Sequence, residues 1–119
     1  MDAEDFEEYR MGHLTRTAGV WKRLVELGAT EQTPLDFDFA FTATSKASVD
    51  AMKAALPDYP IKIEAQGFLK KTYTLSGNTG PIAWTEGQLL KWVDYLLAVG
   101  KDADCEFQGC GANAPKRAI

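Results

Sequence analysis

The sequence is poor in the residues from which metal and nucleophilic sites are commonly built. It holds one histidine, His13, and two cysteines, Cys105 and Cys110, in 119 residues. Their spacing matches neither a redox Cys-x-x-Cys motif nor half of a zinc site with matching ligands elsewhere. No Ser/His or Cys/His grouping suited to nucleophilic catalysis stands out either. We therefore expect a protein that is not an enzyme, with no metal, no cofactor and two free thiols, of which Cys105 is buried.

The chain also lacks a basic excess and a long apolar run. Its formal net charge of -4 and pI near 4.9 argue against a nucleic-acid binder, because such proteins displace phosphate counterions with basic side chains. No apolar run reaches the length of a membrane span, and the acidic N-terminus has no secretory signal pattern. These features predict a cytoplasmic protein that binds neither nucleic acid nor a membrane. The acidic balance favours a protein partner with a basic segment.

The clearest positive signal is the strict alternation in residues 35–41, Leu-Asp-Phe-Asp-Phe-Ala-Phe. Successive side chains of a strand point to opposite faces of the sheet. Three phenylalanines therefore share one face and two aspartates share the other. The pattern predicts a strand with one face in the core and one face in water.

The remaining elements follow from helical and strand periodicity. Residues 4–27 read as an N-terminal helix that ends at Gly28. Thr44 or Ser45 can begin a second helix, and Thr85 a third. Strands are expected at 61–65 and 69–75, which form a hairpin, and at 105–109. Residues 76–81, Ser-Gly-Asn-Thr-Gly-Pro, read as a turn-rich loop.

The order after the first helix predicts the fold class. Strand, helix, strand, strand, helix, strand is the ferredoxin-like βαββαβ pattern, an α+β fold with two helices on one face of an antiparallel sheet. The expected strand order is 4-1-3-2. We divide the chain into an N-terminal helix (1–28), a ferredoxin-like domain (34–112) and a tail (113–119). The added helix can dock at a sheet edge, lie beside the other helices, or be buried by a second subunit in a homodimer.

Three segments together resemble a known family. They are residues 21–28 at the end of the first helix, residues 39–41 leading into 45–47, and the long helix that runs into residues 106–109. This arrangement resembles the ribonuclease E inhibitor family of the RraB type, small acidic cytosolic proteins with a ferredoxin-like domain. The resemblance covers roughly residues 14–112 and identifies the chain as a divergent member. It implies a protein-binding regulator that modulates or inhibits a ribonuclease or other RNA-processing enzyme.

The open face of the predicted sheet supplies the candidate partner-binding residues. Asp36 and Asp38 would be neighbours of Glu106 there, and carboxylates can pair with arginine through two hydrogen bonds. The alternative is an ordinary solvated face with internal lysine–acid pairs. The full set of partner-binding residues expected on this face is Asp36, Asp38, Lys70, Thr72, Glu106 and Gln108.

Other functions compete with this prediction. An RNA-binding sheet would present aromatic side chains on its central strands, where this sequence has aspartate, lysine and threonine. An enzyme could use Asp36, Asp38 and Glu106 as one carboxylate cluster. A small-ligand sensor would use a loop, of which residues 77–80 are the clearest example. Trp21 and Trp92 are expected in the core, whereas Trp84 can either pack at a helix start or stand exposed as an interface anchor.

Overall fold

The computed structural model describes residues 2–113 and has three helices and one four-stranded antiparallel sheet. The elements are α1 (Ala3–Glu26), β1 (Pro34–Ala43), α2 (Lys46–Ala55), β2 (Lys62–Gln66), β3 (Thr72–Ala83), α3 (Glu86–Asp102) and β4 (Glu106–Gly111). The strands lie in the order β2-β3-β1-β4, so β1 and β3 are central. The predicted α+β class is confirmed. Residues 114–119 of the predicted tail lie outside the described residues.

The alternation of β1 builds the core. Every second residue from Leu35 to Ala43 is buried, and Phe37, Phe39 and Phe41 are among the most deeply buried side chains. Each phenylalanine contributes roughly 1.5–3 kcal/mol to stability on burial. The three helices contribute the opposing apolar side chains, so this face of the sheet is the inner one. The other face carries Asp36 and Asp38, which are exposed, as predicted.

Helix α1 packs beside α3 and along β4. Asp2 caps its start, and Gly28, just past its end, has a φ of +108°. The buried stripe of α1 is His13, Thr17, Trp21 and Leu24. Val25, near the end of α1, is about half exposed, because the apolar run there is wider than the face that meets the core.

Strand β3 is much longer than predicted. Residues 76–81 belong to it and pair with β1, so their assignment to a turn-rich loop was wrong. Gly77 is needed there because a Cβ would lie 2.8 Å from Cζ of Phe39. Glycine thus lets a core ring approach the strand, which explains why turn-forming residues occur inside it.

Hydrogen bonds identify the residues that cap α2 and α3, and burial shows where the tryptophans pack. Ser45 caps α2, and Thr85 caps α3 in a reciprocal capping box with Gln88. Trp84 is buried, and its indole N–H donates to the carbonyl of Leu35 at 3.1 Å. It is therefore a core residue and not an exposed anchor. Trp21 is also buried, as predicted, and Trp92 is half-buried among Phe37, Phe39 and Trp84.

Candidate functional site

The open face of the sheet contains a recess of about 730 Å³ at the end where β1 begins. We call it the Asp38 recess. Two of the six predicted partner-binding residues, Asp36 and Asp38, line it together. The side chains that give it polar character are Asp36, Asp38, Lys62, Ser76 and Asn78. A shallower concavity that shares Asp38 and Ser76 continues from it toward Gln108 and Gly111.

Asp36 is held by a bulge between β1 and β3. The register shifts between Asp36, which faces Pro81, and Asp38, which faces Asn78. The amide of Asn78 donates to both carboxylate oxygens of Asp36, at 3.2 and 3.0 Å, and the N–H of Gly80 donates to one of them at 2.9 Å. Gly80 has a φ of 77°, which glycine adopts at little cost. Asp36 is thus a fixed negative charge that also shapes the strand.

Asp38 is the available carboxylate of the recess. It is exposed, and it forms no ion pair or side-chain hydrogen bond with any other residue in the range 2–113. Its Oδ1 lies close to Gly111 of β4. A Cβ atom added to Gly111 would be 3.7 Å from this oxygen. Lys62, across the recess, pairs with Glu64 at 3.1 Å. Asp38 therefore keeps its hydrogen-bonding capacity for a group from outside this part of the chain.

The expectation that Glu106 lies beside Asp36 and Asp38 was wrong. Asp38 faces Gly111, whereas Glu106 faces Thr42. At about 3.3 Å per residue, the strand positions of Asp38 and Thr42 are roughly 13 Å apart. A bulge between Ala40 and Phe41, with Gly109 at a φ of 126°, also shifts the pairing of β4. The three-carboxylate cluster required by the enzyme alternative is therefore not formed.

The other predicted partner-binding residues lie away from the recess. Lys70 is in the turn between β2 and β3, so its predicted strand position was wrong. Thr72 is at the start of β3, opposite Gln66. The side-chain amide of Gln108 donates to Oγ1 of Thr42 at 3.0 Å. These residues and Glu106 belong to the middle and the far end of the sheet.

Three further ionisable groups lie near β4: His13 and Cys105 are buried, and Cys110 is half-buried. Burial lowers the pKa of His13, whose ring packs edge-on against Tyr9 and Phe107. Burial also raises the pKa of Cys105, and raises that of Cys110 to about 11. Both thiols are free, as predicted, and stay protonated at neutral pH, the form with low nucleophilicity. Within residues 2–113, no three histidine, cysteine or acidic side chains are grouped as metal ligands.

Sequence reasoning missed the residues that complete the recess and the apolar residues of the hairpin. Asn78 was assigned to a loop, because its role depends on a bulge that only the pairing of β1 with β3 creates. Phe68 and Leu69 lie in the turn between β2 and β3 and are almost fully exposed. A signal for them was present: Gly67 is followed by two large apolar residues and two lysines, an unusual composition for a turn.

No protein-family model matches the chain, and no curated protein matches it. Among the helices of residues 2–113, none combines the length and the apolar character needed to cross a membrane.

Proposed function

We propose that this chain is a protein-binding regulator whose Asp38 recess receives a basic segment of its partner. The observation that carries the proposal is the pair of carboxylates in the recess, one fixed and one available. Asp36 is oriented by Asn78 and Gly80, whereas Asp38 has no partner within residues 2–113. Because Asp36 is already oriented, it loses little further conformational freedom on binding.

Arginine fits the chemistry of this pair. Its planar guanidinium donates two parallel hydrogen bonds to a carboxylate, and it is less strongly hydrated than lysine. The net charge of -4 attracts a basic segment at longer range and increases its rate of encounter. Lys62 opposes this attraction only in part, because its ammonium group is drawn toward Glu64.

The resemblance to the ribonuclease E inhibitor family suggests which partner to test first. A ribonuclease or another RNA-processing enzyme with an arginine-rich segment matches the charge of the recess. A ferredoxin-like assignment of the domain and a cytoplasmic location belong to the same proposal. The order of elements after α1, strand, helix, strand, strand, helix, strand, supports the first of these.

The test is affinity capture from native lysate, followed by titration of the recovered partner against wild type and Asp38→Asn. We expect Asp38→Asn to weaken binding by at least about tenfold, or roughly 1.4 kcal/mol. The affinity of wild type should also fall as salt is raised, since exposed charges are screened. If the partner cleaves RNA, its cleavage rate with and without the chain shows whether binding regulates it.

The control is Glu8→Gln, which also removes one negative charge but lies on the exposed side of α1. Asp36 is unsuitable as the main test because its substitution disturbs the β1–β3 bulge. Equal weakening by Glu8→Gln and Asp38→Asn would mean that net charge, and not the recess, attracts the partner. Unchanged binding by Asp38→Asn would contradict the proposal.

The size of the recess favours one alternative function. Its volume of about 730 Å³ lies in the range of small-molecule sites, roughly 300–1,000 Å³. A sensor for a small cationic ligand would use the same two carboxylates. If the chain is such a sensor, Asp38→Asn should not weaken the capture of a protein from lysate. A cationic metabolite should instead raise the melting temperature of wild type and leave that of Asp38→Asn unchanged.

A further inference from the structure

The turn between β2 and β3 exposes two large apolar side chains side by side. Phe68 is 96% exposed and Leu69 is 95% exposed. Exposed apolar side chains grouped in this way commonly mark an interaction site. Lys70 and Lys71 follow directly, and neither forms an ion pair within residues 2–113. We call residues 67–71 the hairpin tip.

The hairpin tip projects beyond the end of the sheet. Strand β1 ends at Ala43, which pairs with Tyr73. The β2–β3 hairpin continues one residue further, to the pair of Gln66 and Thr72. Gly67 makes the turn possible, since it has a φ of 98° and a Cβ there would clash with the carbonyl oxygen of Lys70. The turn therefore presents Phe68 and Leu69 outward at the limit of the molecule.

A pocket of about 440 Å³ opens at this same end of the sheet, on the side of β1 and β4. Phe6, Tyr9 and Ala43 supply its apolar lining, and Asp104 and Glu106 supply acidic groups. Lys101 is the one basic group that residues 2–113 contribute to this lining, and it already lies over the ring of Phe6, 4.3 Å from the ring centroid. We call this the Phe6 pocket. Its apolar and acidic composition complements the apolar and basic composition of the hairpin tip.

We propose that two copies of this chain associate end to end, with the hairpin tip of each seated in the Phe6 pocket of the other. The strand order puts β2 and β3 on one side of the sheet and β1 and β4 on the other. A two-fold axis normal to the sheet at this end therefore brings each tip opposite the pocket of the other copy. Such a contact is reciprocal and closes as a dimer. It does not depend on the Asp38 recess, which is at the opposite end.

The occupant of the pocket is a second copy because both complementary surfaces belong to this chain. Phe68 and Leu69 lose water against Phe6 and Tyr9, which provides the hydrophobic gain. Lys70 and Lys71 meet Asp104 and Glu106, so the charges fix the orientation of the contact. Glu4 and Asp5 precede Phe6 in the first turn of α1 and add negative charge to this end of the helix.

The first test measures mass by sedimentation across a range of protein concentrations, for wild type and for Phe68→Ser, Leu69→Ser. Wild type should shift from monomer to dimer as concentration rises, and the variant should need at least about tenfold more protein for the same shift. The two side chains are almost fully exposed, so the monomer should keep its fold, which circular dichroism checks. A wild type that stays monomeric, or a variant that dimerises equally, overturns the proposal.

The second test uses charge reversal to ask whether tip and pocket meet each other. The tip variant is Lys70→Glu, Lys71→Glu, and the pocket variant is Asp104→Asn, Glu106→Lys. Asp104 has a φ of 58°, a conformation that asparagine also tolerates. Each variant alone should be monomeric, whereas an equimolar mixture should form a dimer, because both contacts then join opposite charges.

Two further outcomes distinguish dimerisation through the hairpin tip from binding of the tip to another surface. Failure of the mixed variants to associate, with wild type dimeric, would overturn the assignment of tip to pocket. Co-sedimentation of monomeric wild type with phosphatidylserine vesicles, lost in Phe68→Ser, Leu69→Ser, would likewise overturn it and assign the tip to a lipid surface.

Discussion

The two edge strands of the sheet, β4 and β2, differ in how far other elements cover them. The edge formed by β4 is covered by α1, and the hydroxyl of Tyr9 pairs with both backbone groups of Phe107. Within residues 2–113 the edge formed by β2 has no such cover, since four of its five residues are exposed and the turn that follows it contains the exposed Phe68 and Leu69. Unpaired strand edges are templates for association with another chain. Helix α1 therefore stabilises the β4 edge, whereas the β2 edge and its turn stay accessible to an external contact.

Removal of the main α1 anchor should have the largest effect. Trp21 is 8% exposed and belongs to the core cluster, so Trp21→Ala should lower the free energy of unfolding by roughly 3–5 kcal/mol. Phe68→Ala, the matched aromatic substitution at the bare edge, should change it by no more than about 0.5 kcal/mol. Urea denaturation of the two variants measures the difference. Similar losses would show that the hairpin tip packs against the fold.

Tyr9→Phe should have an intermediate effect, because it removes only the hydroxyl. The N–H of Phe107 donates to this oxygen at 2.6 Å, and the hydroxyl donates to the carbonyl of Phe107 at 3.1 Å. Leaving these part-buried groups unpaired should cost about 1–3 kcal/mol of stability. Hydrogen exchange at the Phe107 amide should also become faster.

The control for Tyr9→Phe is Tyr95→Phe on α3. Tyr95 is about half exposed, so loss of its hydroxyl should leave both stability and exchange at Phe107 unchanged. If Tyr9→Phe behaved in the same way, water would be replacing the hydroxyl at β4, and the covered edge would depend on packing alone.

The sequence predicted the inner face of the sheet well, because burial along a strand alternates with every residue. Alternation in β1 identified the inner side chains, Thr85 marked the start of α3, and the structure shows Ser45 to be the cap of α2 where Thr44 or Ser45 was expected. The length of β3 was missed because Gly77 and Gly80 are turn residues by local preference. Their reasons for being in a strand are long-range: the ring of Phe39 needs space at Gly77, and Gly80 donates to Asp36.

The candidate site could be predicted only in part for the same reason. Local alternation is enough to put Asp36 and Asp38 on the open face, and both line the recess. The position of Glu106 depends on the register between β1 and β4, which the bulge near Gly109 shifts. A single sequence specifies which face a strand residue occupies more reliably than it specifies its neighbour across the sheet.

The ion pair between α1 and α3 should have the smallest effect and should be visible mainly through pH. Arg10 donates to both carboxylate oxygens of Asp94, at 2.6 and 3.0 Å. These hydrogen bonds lower the pKa of Asp94 below its ordinary value, against the opposing effect of burial. Arg10 stays charged throughout, so the pH dependence of the Arg10–Asp94 pair follows the protonation of Asp94. Arg10 also pairs with the more exposed Glu7 at 2.8 Å.

A lowered folded-state pKa means that the unfolded chain binds the proton more readily. The pair should therefore contribute its full stability above the unfolded value, near 3.9, and lose it as pH falls through the lower folded value. Asp94→Asn should reduce stability at pH 7 and converge with wild type at low pH in thermal unfolding. Asp50→Asn opens the more exposed Lys46–Asp50 pair within α2 and should follow wild type closely. Identical curves for Asp94→Asn and Asp50→Asn would show that α1 is held at the covered edge by Trp21 and Tyr9 without help from Arg10.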